Sequence, residues 1–525
     1  MNYKRHYALQ CAILVSLGGF VFGFDASVIS GVVGFVTTEF NLTPIQAGFV
    51  VAAPTLSGLI ATPLMGPLAD TFGRKNVLIF IAFLYLVSAL ASAFASSYMM
   101  LVGARALGGL AFTSLMIAPM YIGEISPASV RGRRVSINQM NIVLGFSAAY
   151  FANYFILNMS AWDSAWVTNL GLDTNTWRWM LGLEIIPASV FFLALFLIPN
   201  SPRWLMLKGE EEKARTVLSV LLPETEVEKE IDQIKQSSVT QKSPFWESLG
   251  FILGPKMRLA LIVGLILGVA QQITGINAIF FYAPTIFAQS GIGTNAAFAQ
   301  AALVGVINVI FTIIAMMFID RWGRRPLLIM GLSGIAISMM LCAYGFSKAT
   351  YQITPESISE IHKVEGITQS FNPDDLSALV GTVYQSDVEF KSALQDTIGY
   401  AAARDHESVL IKNSVDMNAL IILIGILGFV ASFAISLGPV MWVMFAEIFP
   451  NKLRGLAISV VGSVNSLVSF SVQFWFPWEL AKFGAAFTFG LFGALAVFFL
   501  VLTVWIIPET KGKSLEELEA LFTKR

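Results

Sequence analysis

Charge is scarce in this chain. Of its 525 residues only 13% are Asp, Glu, Lys or Arg, against 56% hydrophobic. Soluble domains carry about 25% charged residues, and a soluble protein of this length needs several charged shells around several cores. Lipid is therefore the solvent for most of the chain. A net field is absent too, since 33 basic residues meet 34 acidic ones and leave a formal charge of −1. Nucleic-acid binding, which rests on a basic surface, is set aside. Cys11 and Cys342 both lie in apolar runs and read as small buried hydrophobes, which excludes a disulfide framework. His6, His362 and His406 lack ligand spacing, so metal chemistry has no candidates, and nothing points to a cofactor.

Long apolar runs are what the chain has in plenty. A helix crossing the ~30 Å of hydrocarbon needs ~20 mostly apolar residues. Twelve such runs emerge, at 8–33, 48–69, 77–96, 99–122, 136–158, 178–199, 258–289, 297–319, 327–346, 417–445, 456–479 and 485–507. Trp and Pro interrupt the pattern around 159–177 and 470–485. The first run, apolar from Ala8 to Val36, is too long for a signal-peptide core and has no A-x-A site, so it reads as a span.

Basic residues accumulate on the cytoplasmic side of short loops. FGRK (72–75), RGRR (131–134), RWGRR (321–325) and NKLRG (451–455) all fall on one side, which both termini share. The polar stretch 200–256 is then a cytoplasmic linker, with a helix-like pattern at EEEKARTVLSVL (210–221). The stretch 347–416, with 11 acidic and 5 basic residues, faces outward. Whether it is an ordered cap or a flexible loop is left open, as is an extension of span ten through HESVLIKNSVDMN.

The chain repeats itself. DTFGRK from Asp70 matches DRWGRRP from Asp320, an offset of 250, and EISPASVRG from Glu124 matches EIFPNKLRG from Glu447, an offset of 323. The excess of 73 is about the length of the stretch 347–416, which is thus an insertion in a duplicated six-span unit. Six-span repeats of one orientation fit an axis along the membrane normal, with a substrate site between them near the midplane. The expected domains are a six-helix bundle at 1–199, the linker at 200–256, a second bundle at 257–510 bearing the insertion, and a tail at 511–525.

GGFVFGFD (18–25), the D-x-x-GR loop at 70–74, EISPASVRG, SPRW (201–204), QQITGINAIFFY (271–282), the D-x-x-GR loop at 320–324, GPVMWV (438–443), EIFPNKLRG and PETKG (508–512) occur in that order. In them the chain resembles the sugar porter family of the major facilitator superfamily, over nearly its whole length except the insertion. The resemblance implies an all-α membrane protein of twelve transmembrane helices in two six-helix halves related by pseudo-two-fold symmetry, the major facilitator fold. It implies a transporter, not an enzyme. The implied function is proton-coupled monosaccharide symport by alternating access, of a pentose or hexose, across a plasma membrane such as a bacterial inner membrane. An uncoupled sugar or polyol facilitator with an inositol-like substrate, or a sugar sensor, are the alternatives.

Gln271, Gln272 and Asn277 are polar amides in an apolar span, where the bland expectation is a hydrogen bond to a neighbouring helix. Amides also offer donor and acceptor together, as sugar hydroxyls do, and bind a neutral polyol without burying a charge. The resemblance places these three amides, with Asn308 and Asn465, on the sugar. Trp442 offers a flat face to a sugar ring, and Phe22 and Tyr282 are candidates to close the pocket, with helix packing as the ordinary alternative for all three aromatics. Two departures leave the particular sugar open. Phe146 stands where the xylose symporters have a sugar-binding Gln, and Ser466 stands where a second tryptophan is expected.

Asp25 lies ~12 Å from the outer end of span one and Arg105 ~10 Å from that of span four, at 1.5 Å per residue. Ionisable groups at such depth are costly, pair with one another and mark function. A carboxylate that moves toward or away from a guanidinium changes its hold on a proton, which is what symport requires. A static salt bridge is the alternative. Glu184 sits at similar depth, either as a third member of the layer or facing a cavity. The resemblance makes Asp70, Arg74, Glu124, Arg131, Asp320, Arg324, Glu447 and Arg454 a cytoplasmic gate of ion pairs that break as the halves rock. The family's acid after span six is Asn200 here, so that the inner lock is weaker or relies on Glu509.

Overall fold

The computed structural model describes residues 2–127, 130–222, 224–238, 245–364, 367–450, 453–513, 517–518 and 522. Parts of the repeat motifs (128–129 and 451–452), of the linker and of the C-terminal tail lie outside the described residues. Among the described residues, eleven helices are long and apolar enough to cross a membrane. They are His6–Glu39, Pro44–Phe72, Arg74–Ala93, Tyr98–Glu124, Arg131–Ser160, Thr176–Leu197, Pro255–Ala288, Thr294–Trp322, Arg324–Ser347, Ala419–Ile448 and Arg454–Ile506. Helices dominate because hydrocarbon satisfies no backbone polar group, so each span must bond its own N–H and C=O groups.

The last helix is two spans. At 53 residues it is too long for one crossing, and Gly484 interrupts it with φ 80° and ψ 168°. That left-handed φ suits glycine. The boundary expected between 479 and 485 falls at Gly484, whereas Pro477, which interrupts the apolar pattern, stays inside the helix. Neighbouring helices make good the hydrogen bond a membrane proline removes. Spans eleven and twelve therefore meet at Gly484, and the chain has twelve spans. Large apolar side chains such as Phe94, Met99 and Trp505 stay exposed on span surfaces, as lipid-facing positions do.

The chain divides into two compact units. The first comprises Met1–Val28, Ala53–Ala152 and Arg178–Gly250. Its core joins Cys11 and Val15 of span one, Leu78, Ile81 and Tyr85 of span three, Ile117 and Tyr121 of span four, and Phe191 of span six. Linker residues Leu218, Leu221 and Ile231 belong to the same core. The second unit comprises Ile29–Ala52, Asn153–Trp177 and Phe251–Arg525.

The insertion is folded. Strands β1 (Thr350–Gln352), β2 (Val383–Tyr384) and β3 (Val415–Asp416) form an antiparallel sheet in the order β2–β1–β3, with Tyr351 opposite both Tyr384 and Val415. Tyr351, Ile361, Phe390, Leu394 and Leu410 build a core of its own. Span ten is not extended into it. Glu407–Lys412 is a separate helix, β3 follows, and span ten begins at Ala419 under an Asn418 side-chain cap.

A buried ionic cluster seats the insertion on the second unit's spans. Lys391 Nζ lies 2.8 Å from Glu407 and 3.8 Å from Asp387, and donates to Gln289 Oε1 at 2.9 Å, at the end of span seven. Gln289 donates in turn to Glu407 at 2.8 Å. A Cβ at Gly484 would lie 2.5 Å from Asp387 Oδ1, so the helix carrying Asp387 also packs on the turn between spans eleven and twelve. Arg404 donates to Asn41 at 2.7 Å in the loop after span one.

Burial pushes the Glu407 carboxyl up, but Lys391 beside it more than offsets this and holds it below the ordinary value. Burial likewise pulls Lys391 down, and Glu407 and Asp387 reverse that and hold its ammonium above the ordinary value. Glu407 thus contributes stability that is present above its unfolded value of ~4.3 and is lost as pH falls through the depressed folded one. Lys391 contributes stability that is present below ~10.4 and is lost as pH rises through the raised one. Lys391→Met leaves two acids facing each other without a cation and is expected to cost the insertion about 3 kcal/mol. Hydrogen exchange across 387–412 should accelerate in this variant at pH 7, and in the wild type only below about pH 4.

Candidate functional site

Span seven breaks inside its own polar motif. The helix Arg258–Ile273 ends at Thr274, and Gly275, at φ 97°, turns the chain into a second helix, Ile276–Ala288. Glycine is required there by the left-handed φ and by Phe492, which an added Cβ would approach to 2.7 Å. The break gathers Gln271, Gln272 and Asn277 into one cluster. Gln271, 5% exposed, donates to the carbonyls of Leu437 at 3.3 Å and Gly438 at 3.5 Å. Gln272 donates to Gln271 Oε1 at 3.0 Å and to Asn465 Oδ1 at 3.3 Å. Asn465 donates to Gly268 O at 2.8 Å and to Gln271 Oε1 at 3.0 Å. Asn277 donates to Gln272 Oε1 and to Ser469 Oγ, both at 2.6 Å.

Four of the amides singled out in the sequence thus form one network, and other residues named with them stand outside it. Asn308 is buried on Thr294–Trp322, and among the described residues it makes no hydrogen bond to these amides. Tyr282 is buried against Phe476 with ring centroids 5.0 Å apart, and its hydroxyl donates to Gln473 O at 3.0 Å. Trp442 is half exposed and touches Phe445 edge-on at 5.8 Å. Phe22 belongs to the first unit, packed on Phe112 at 4.7 Å and on Phe146 at 6.4 Å. Ser469 and Gln473 join the amide network unforeseen. Their signal was available: Asn465, Ser469 and Gln473 recur every four residues, one polar stripe in an apolar helix.

In the first unit Asp25 and Arg105 are 1% and 2% exposed, and Arg105 Nη1 donates to the Asp25 carboxylate and, at 3.2 Å, to its backbone carbonyl. Asp25 Oδ2 and Arg105 Nε have no hydrogen-bond partner among the described residues. Glu184, 2% exposed, lies within electrostatic reach of both, and its Oε1 is likewise unpartnered. Three ionisable groups thus share a water-excluding core, one pair plus one extra acid, which is a costly arrangement in an apolar medium.

The repeated loops fold into one ion-pair arrangement twice. In the first unit Arg74 lies 2.9 Å from Asp70 and 3.1 Å from Glu124, and Ser201 donates to the other oxygen of Glu124. In the second, Arg324 lies 3.1 Å from Asp320 and 2.8 Å from Glu447, and Thr510 donates to the other oxygen of Glu447 at 2.6 Å. Arg131 and Arg454 do not join the pairs. Arg131 reaches the carbonyl of Ser126 at 3.5 Å and Arg454 that of Phe449 at 3.2 Å. Arg131 also lines a cavity of about 470 Å³ with Glu124, Arg203 and Glu230. Glu509 is occupied within its own unit, accepting the backbone N–H of Arg324 and of Arg325 at 3.1 Å each, at the start of span nine. Asn200 holds the corresponding place after span six, and its amide makes no hydrogen bond among the described residues.

Comparison with known proteins gives one answer. The family described as "Sugar (and other) transporter" matches residues 11–362 and 401–522. The arabinose-proton symporter of Bacillus subtilis (strain 168) is 32% identical over 99% of this chain and 97% of its own length. The D-xylose-proton symporter of Escherichia coli (strain K12) is 31% identical over the same shares. An inward open structure of the E. coli xylose transporter XylE superposes with a TM-score of 0.73, at 29% identity, over 98% of this chain and all of that one. The chain belongs to the sugar porters of the major facilitator superfamily. It is an integral, multi-pass membrane transporter and not an enzyme.

Within each lock the two acids differ in exposure, which separates their contributions. Glu124 is 8% exposed and Asp70 48%. Glu124→Gln leaves the buried Arg74 guanidinium facing a neutral amide and should destabilise the first unit by roughly 3 kcal/mol, whereas Asp70→Asn should cost under about 1 kcal/mol. Thermal unfolding of the two purified variants in detergent measures the difference.

Proposed function

We propose that this protein is a proton-coupled monosaccharide symporter, carrying a pentose or hexose across a bacterial inner membrane by alternating access. The observation that carries the reading is the Asp25–Arg105 pair, buried to 1% and 2% exposure in spans one and four. A transporter that moves only a neutral sugar has no need of charges at that depth, whose burial is costly. The similar arabinose and xylose transporters are both named as proton symporters.

In this reading Asp25 is the proton carrier. Paired with Arg105 it stays ionised, and when movement of the spans weakens the pair its carboxylate takes a proton, because an isolated charge in an apolar medium is unfavourable. Glu184 is the neighbouring acid whose charge biases that exchange. The sugar binds Gln271, Gln272, Asn277 and Asn465, with Asn308, Trp442 and Tyr282 as further contacts. Neutral amides match its hydroxyls and add no charge. The basic loops and both termini lie in the cytoplasm. There the locks of Asp70, Arg74 and Glu124 and of Asp320, Arg324 and Glu447 close the inner face in one state and part in the other, with Arg131 and Arg454 holding the adjoining turns.

Reconstituted into proteoliposomes, the protein should acidify the lumen as sugar enters. Asp25→Asn should abolish uphill accumulation while sugar exchange at equal concentrations continues. Accumulation against a gradient by that variant would refute the role of Asp25, and sugar uptake without any proton movement in the wild type would make the protein a facilitator.

A further inference from the structure

We propose, on the premise that the span-seven amides receive the sugar, that Gln473 is a positioning residue of this site: it holds the Ser469 hydroxyl so that its proton points to the substrate. Gln473 is 1% exposed, eight residues after Asn465 and four after Ser469 on one helix face. Its Nε2 donates to Ser469 Oγ at 2.8 Å, and its backbone carbonyl accepts the Tyr282 hydroxyl at 3.0 Å, which ties this turn of the helix to span seven.

A primary amide has two N–H donors, and a hydroxyl has one proton and two lone pairs. Both donors of Gln271 go to the carbonyls of Leu437 and Gly438. Those of Gln272 go to Gln271 and Asn465, those of Asn465 to Gly268 and Gln271, and those of Asn277 to Gln272 and Ser469. The cluster therefore keeps lone pairs for a guest, those of Asn277 Oδ1 foremost, and no amide proton. Such a surface accepts sugar O–H groups but gives nothing to a ring or hydroxyl oxygen.

Ser469 supplies the missing donor. Its oxygen accepts from Asn277 at 2.6 Å and from Gln473 at 2.8 Å, so both lone pairs are occupied and the proton is its free capacity. Without Gln473 one lone pair opens, the hydroxyl rotates, and the amide cluster loses the donor that Ser469 fixes for it. Gln473 thus sets the polarity with which the amide cluster meets a monosaccharide, without touching the sugar.

The test is a double-mutant cycle on the purified full-length protein, with binding of D-xylose, L-arabinose and D-glucose measured by calorimetry. Ser469→Ala and Gln473→Leu should each weaken binding of the sugar that the wild type takes best by about tenfold, as expected for one hydrogen bond. The double variant should be no weaker than Ser469→Ala alone. Ser469→Thr, which keeps the hydroxyl, should bind like the wild type. Gln473→Asn, which stays polar but is one methylene too short to reach Ser469, should behave as Gln473→Leu and replaces it if the leucine variant does not fold. Losses that add in the double variant, or wild-type affinity in either Gln473 variant, overturn the proposal. If none of the three sugars binds the wild type, or if Gln272→Ala and Asn277→Ala bind them unchanged, the premise itself fails and the proposal falls with it.

Discussion

Hydrocarbon forms no hydrogen bonds, and that one constraint orders this molecule. Each polar group carried into the membrane must be met by the protein, or it destabilises the fold by several kcal/mol. The backbone answers with helices. The side chains answer with partners drawn from distant parts of the chain, as when Asn465 bonds Gly268 and Gln271 across nearly two hundred residues of sequence. The same constraint makes the exceptions conspicuous. Among those exceptions are three atoms of charged groups in the first unit, Asp25 Oδ2, Arg105 Nε and Glu184 Oε1, buried without partners among the described residues.

The loops on the basic face show one solution used twice. In each repeat an arginine at the start of a span lies between an acid one turn earlier and a buried acid from another span, and a hydroxyl holds that second acid from behind. The spacing that maps Arg74 onto Arg324 also maps the carbonyl each guanidinium touches, Ala69 onto Ile319. Hydroxyl and guanidinium divide the buried carboxylate between them, the guanidinium taking Oε1 and the hydroxyl Oε2 in both repeats. The repeats differ where Glu509 caps the start of span nine and Asn200 supplies only an amide after span six.

Outside the lipid the chain changes its rules. The insertion is held by strands, a small aromatic core and a Lys391–Glu407–Asp387 cluster, the devices of a soluble domain, and it rests on Gln289 and the Gly484 turn. Its acidic, Ser-rich composition gave no periodic pattern from which such a fold is read. Its core residues come from short elements that bury apolar surface only when assembled.

Apolar length and repeated charged motifs are local properties of the chain, and from them twelve spans, their duplication and the family were legible. The sequence also put the boundary between spans eleven and twelve within 479–485, but did not show which residue turns the chain there. Gly484, and not Pro477, ends span eleven, since neighbours decide whether a proline's missing hydrogen bond is made good. Nor did it decide which amides meet. Gln271, Gln272, Asn277 and Asn465 share a network that Asn308 does not enter, and Ser469 and Gln473 complete it. Direction around a helix axis, the turn at Gly275 and the packing of remote spans fix those contacts, and all three arise only when the chain has folded.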